Sequence, residues 1–176
     1  MSGPDHGTSL DDVIGLIERQ LCAYKPYIRG NALPGIAVLK YANAQDAAGD
    51  VIFSQAVDDA LEKAFVALGW GSAAWCGILL SPSGGSALEP EGLRLLLETV
   101  DPSAIVAIDE KSLRALIRAL SSSETGLLVD LTIGGKSYVH GRLVVSVNDF
   151  EGALNNERTK QIAWRELQQC KPYQAV

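Results

Sequence analysis

Five polar side chains stand where apolar runs give out: Tyr41 at the end of "GIAVLKY" with Asn43 and Asp46 after it, and Asn148 and Asp149 after "GRLVVSV". A carboxylate beside a phenol is the outline of a general acid–base pair, because either group relays a proton once its pKa is displaced toward neutrality. Phe53 would add a ring for a planar ligand to stack on. Each has a plainer reading as well. Asn and Asp habitually cap turns, and a Phe at the start of a helix is usually core. The only imidazoles are His6, in a terminus (residues 1–8) expected to be disordered, and His140, within an alternating strand, so neither a histidine base nor a histidine metal site is indicated.

The elements that would position these residues can be read from spacing. Leu10, Val13, Ile14, Ile17 and Leu21 recur at helical intervals, predicting a helix over about 10–23 that Pro26 ends. Gly35 to Tyr41 is a short branched run that reads as a buried strand. Ser54 is placed to cap a helix with Val57, Ala60, Leu61, Ala64, Phe65 and Leu68 on one stripe and Gly69 at its left-handed end. "AAWCGILL" is a second strand, its Trp75 expected with Trp70 at the sheet edge. Pro90 opens a third helix after the connector "SPSGGSALEP", which lacks the Lys-Ser/Thr ending of a phosphate loop. "AIVAI" is a third strand, and Asp109 caps the helix after it, with Leu113, Leu116, Ile117 and Leu120 inward. "LLVDLTIGGKSYVH" alternates around Gly134-Gly135 and suggests a hairpin or strand excursion before the last core strand. Asn155 or Asn156 then caps a final helix with Ile162, Ala163 and Leu167 facing in.

Strands alternating with helices require crossovers, and crossover helices cover both faces of the sheet they connect. The expected fold is therefore α/β: one domain over residues 1–176, a three-layer α/β/α sandwich about a mainly parallel four-stranded sheet. Ligands of such sheets bind beyond the carboxyl ends of the strands, where all the candidates named above fall.

Composition narrows the function. The 176 residues carry 15 Lys and Arg against 21 Asp and Glu, a net charge of −6, which disfavours a nucleic-acid partner held through its phosphates. Apolar runs are broken before the length that spans a bilayer and the first residues lack a signal pattern, so a soluble, cytoplasmic chain without a membrane partner is expected; self-association is left open. Cys22, Cys76 and Cys170 are more than 50 residues apart with no C-x-x-C, which argues for free thiols and against a metal or cluster cofactor.

The order and lengths of these segments resemble the uracil-DNA glycosylase superfamily, in particular its iron–sulfur branch, from about Leu21 to Gln168. Leu154, Asn156, Lys160 and Trp164 keep the spacing of the family's C-terminal motif, "VDPSAIVAIDEKSLRALI" resembles its strand–helix unit with Asp109 at a usual glycine, and "IFSQAVDDALEKAFVALGW" places Phe53 on the aromatic residue that stacks on uracil. The resemblance implies a glycosylase-like fold, yet the chemistry-bearing positions differ. The family's His-Pro-Ser falls on Asp149, Phe150 and Glu151, putting an anion where a histidine would stabilise charge developing on the departing base. The acid that assists water falls on Tyr41, in "KYANA"; the base-reading Asn falls on Gly77; and of the cluster ligands only Cys22 matches, the others falling on Lys25, Ser81 and near Arg94 and Leu95. The expectation is a protein that keeps the scaffold and has lost glycosylase activity, with no cofactor. The alternative is an enzyme, then a hydrolase of N-glycosidic bonds, or a base- or nucleotide-binding protein, using the same cleft through Tyr41, Asn43, Asp46, Phe53, Asn148 and Asp149.

Overall fold

The computed structural model describes residue 19 and residues 22–31, 33–41, 51–82, 85–121 and 129–172. Four strands expected from their branched, apolar composition form the middle of one sheet: β2 (Ile36–Lys40), β3 (Trp75–Leu79), β4 (Ala104–Ala107) and β6 (Arg142–Ser146). All run parallel in the order β3-β2-β4-β6, with Ile36 beside Trp75 on one side and Ala104 on the other, and Ala104 beside Leu143. The sheet is nevertheless mixed and six-stranded, not the four-stranded one expected. β1 (Ile28–Gly30) pairs antiparallel with β3, and β5 (Lys136–Val139) pairs antiparallel with β6, so each edge of the parallel core is closed by a short strand.

Alternation along the strands divides the core into two layers. Ile36, Val38, Trp75, Leu79, Val106 and Val145 face α1 (Gln55–Leu68), the short α4 (Phe150–Ala153) and α5 (Glu157–Leu167). Ala37, Leu39, Ile78, Ile105 and Val144 face α2 (Pro90–Val100) and α3 (Glu110–Leu120). A three-layer α/β/α sandwich follows, because each strand of the parallel core is apolar on both sides and must be covered twice.

The helix ends obey local chemistry. Gly69 closes α1 at φ 92°, Pro90 begins α2, and Asp109 caps α3 by accepting from Ser112 N–H at 2.8 Å. Asn156, not Asn155, caps α5. Ser54 precedes α1 without a side-chain cap; the Asp58 carboxylate instead turns back to accept from Ile52 and Phe53 N–H.

Several expectations are corrected. The hairpin turns at His140-Gly141, both at positive φ as a two-residue turn matching strand twist requires, and not at Gly134-Gly135. The post-β6 segment expected as loop contains α4. Ile162 is exposed, since α5 buries only Ala163 and Leu167. Trp75 is not an edge residue but lies in the core under α1. The helix expected over 10–23 falls mostly outside the described residues, of which Cys22–Tyr24 form a 3-10 turn. No helix among the described residues is long and apolar enough to cross a membrane.

Candidate functional site

At the carboxyl end of β2 the alternation that buries Ile36 and Val38 toward α1 also turns Lys40 inward. Its side chain is 5% exposed, and Nζ meets Glu151 Oε2 of α4 at 2.8 Å and stands 5.8 Å from the centre of the Phe53 ring. An ammonium taken out of water requires a compensating partner, and the carboxylate with the adjacent π face supplies one.

Gly77, in the middle of β3, faces the same layer. A Cβ built there would lie 2.0 Å from Ile52 Cγ2 and 2.8 Å from Phe53 Cζ, so the space that any side chain would need there is taken by the 52–53 turn. Phe53 is fully buried, and its ring packs against Trp75 with centroids 6.0 Å apart. The turn is clamped from behind, with Asp58 Oδ2 accepting from Ile52 N–H at 2.6 Å and Oδ1 from Phe53 N–H at 2.9 Å. Trp75 is itself fixed by an indole hydrogen bond to Glu62 Oε2 at 2.9 Å. Glu62 is held below the usual carboxylate range first by the Ala73 N–H it accepts, against a partial opposing effect of burial, with Trp75 and Ser72 adding to the lowering.

The other candidates do not join this cluster. Asp149 is exposed, at φ 39°, and accepts from Gly152 N–H at 3.1 Å as the cap of α4. Asn148 is exposed, and its backbone N–H donates to Glu166 Oε2. Tyr41 lies on the opposite face, packed against the α2–α3 layer, with its N–H donating to Asp109 Oδ2 at 2.8 Å. Tyr41 and Asp149 therefore form no acid–base pair. Asn43 and Asp46 lie outside the described residues. Lys40 and Glu151 were absent from the sequence candidates. The available signal was a lysine ending an otherwise apolar buried strand, which must find a counter-charge.

Among the described residues no group of three or more His, Cys, Asp or Glu could hold a metal. Cys22 and Lys25 are exposed, as are Arg94 and Leu95, and Ser81 is half-buried. Between them the chain packs on itself, with Leu88 Cδ1 3.0 Å and Tyr24 Cε1 3.7 Å from where Gly92 would carry a Cβ. No family model and no curated protein matches the chain.

Proposed function

We propose that the chain is a non-catalytic protein of the uracil-DNA glycosylase type, working by binding or association and not by excising a base. The observation that carries this reading is the turn of Ile52 and Phe53 lying directly on Gly77. Stacking and base reading both need an open recess beside the strand ends, and a buried Phe53 leaves no face for a ring. The electrostatics point the same way. A departing pyrimidine anion needs preorganised donors, the loss of one of which typically lowers turnover about a hundred- to a thousandfold. The cation at hand, Lys40, is bonded to Glu151 beside Phe53, and Asp149, at the position of the family's histidine in the resemblance, caps α4. The parallel order β3-β2-β4-β6 within the sheet supports the scaffold part of the reading.

The test is a uracil-release assay: purified protein is incubated with an end-labelled single-stranded oligonucleotide containing one uracil, and abasic sites are revealed by alkaline cleavage. No cleavage above the protein-free blank is expected. Cleavage by the wild type that vanishes in Lys40→Ala would overturn the proposal.

A further inference from the structure

On the face of the sheet away from Phe53, a crevice of about 360 Å3 opens between α3 and the loop that follows β3. Its position is set by topology. β2 leads to β3 across one face through α1, and β3 leads back to β4 across the other through α2, so the strand order reverses between β2 and β4, where open α/β sheets receive ligands. Tyr41 leaves β2 and Leu80 leaves β3 at the mouth of this crevice.

The wall formed by α3 is cationic. Lys111, Arg114 and Arg118 line the crevice at intervals of three and four residues, which places them on one helical face over about 10 Å. One carboxylate, Glu89, faces them from the loop, and Arg114 is paired with Glu110 on its own helix. Lys111 makes no ion pair among the described residues; its ammonium lies 5.2 Å from the centre of the Tyr41 ring. Lys111 and Arg118 thus line a concave site without a carboxylate bonded to either in an ion pair among the described residues, while Asp109 stands at the start of the helix, bonded to Ser112 and Tyr41 N–H. The opposite wall is apolar, from Leu80, Leu88 and Pro90.

The site is also held in place. One oxygen of Asp109 caps α3 through Ser112 N–H, and the other accepts from Tyr41 N–H, both at 2.8 Å. The same carboxylate thus fixes the Tyr41 backbone to the start of the helix that carries the cations. A preformed crevice with a few convergent charges over an apolar floor is the usual form of a small-molecule site.

We propose that this crevice binds a small polyanion, with two oxyanion groups, phosphate or carboxylate, along Lys111 and Arg118 and a non-polar body against Tyr41 and Leu88. The reading is independent of whether the Phe53 side of the sheet is catalytic. The test is calorimetric titration of the full chain at low ionic strength with inorganic pyrophosphate and, separately, with citrate. Saturable binding of at least one is expected, the preferred probe telling phosphate from carboxylate. The double charge reversal Lys111→Glu with Arg118→Glu should weaken it about tenfold or more, while Lys63→Glu, on the exposed side of α1, leaves it unchanged. Circular dichroism melting establishes that each variant is folded. Absence of binding by both probes would overturn the proposal. So would equal weakening by Lys63→Glu, or binding indifferent to the reversal. Capture of a single-stranded oligonucleotide through Lys111 and Arg118 without binding of either small probe would overturn it in favour of a nucleic-acid surface.

Discussion

Asp149, Lys40 and the three cysteines each behave as burial and local geometry dictate. Asp149 sits outside the core at positive φ, a conformation Asp tolerates, and turns its carboxylate onto the helix it starts. Lys40 is buried and bonded to Glu151, whereas an exposed lysine at the same strand end would have been free to meet a ligand. Cys76 and Cys170 are fully buried, and loss of solvation pushes each thiol up to about 12. Cys22 is exposed. Since the thiolate is the reactive form, a chromogenic disulfide reagent should titrate one thiol in the native protein from pH 7 to 9 and three in denaturant. A second native thiol reacting as fast as the first would contradict the packing. The same raised values link stability to pH. The contribution of the neutral thiols is complete below the unfolded value near 9.0 and is lost as pH rises from there toward 12, so the midpoint of thermal unfolding should fall over that interval.

At the scale of elements, Gly77 is what allows the 52–53 turn to lie on β3. Gly77→Ala puts a methyl group into Ile52 and the fully buried Phe53 ring, and overpacking of this kind costs about 1 to 3 kcal/mol. Urea denaturation should report that loss; an unchanged midpoint would mean that the turn does not rest on the strand. The central strands and most helix ends were legible because their signals are local. Continuous branched runs mark β2, β3, β4 and β6, Gly69 and Pro90 mark helix ends, and Asp109 carries its own cap. What escaped was decided by partners distant in sequence. β1 is three residues, Ile-Arg-Gly, with no alternation to read, and exists because the β3 edge accepts it. The turn at His140-Gly141 was hidden by the more conspicuous Gly134-Gly135, although the pairing of Lys136 with Val145 fixes the register. Ile162 is apolar and adjoins Ala163, yet α5 buries only a narrow stripe, Ala163 and Leu167, against the sheet.

Across the whole molecule the sheet has two unlike sides at its carboxyl end. Toward α1 and α4, among the described residues, Phe53, Ile52 and the Lys40–Glu151 pair pack over the ends of β2 and β3. Toward α2 and α3 they open into a basic crevice floored by Tyr41. Phe53 and Gly77 lie on one side and Tyr41 on the other, although their places after the strands suggest a single cleft. Chain order cannot tell which face of a sheet a strand-end residue will take, because that depends on the parity of its position and on the side its crossover helix packs. Charge was similarly legible only in sum: a net −6 conceals three cations on one face of α3. The central claim is that the turn of Ile52 and Phe53 takes the space directly over Gly77, and its most direct measurement is a nuclear magnetic resonance titration of the protein with free uracil. Reporting resonances are the methyl groups of Ile52, the ring of Phe53 and the indole N–H of Trp75. The packing of the turn on Gly77 predicts that the buried Phe53 ring does not shift saturably as uracil is raised into the millimolar range; saturable shifts at all three, abolished by Gly77→Ala, would contradict it.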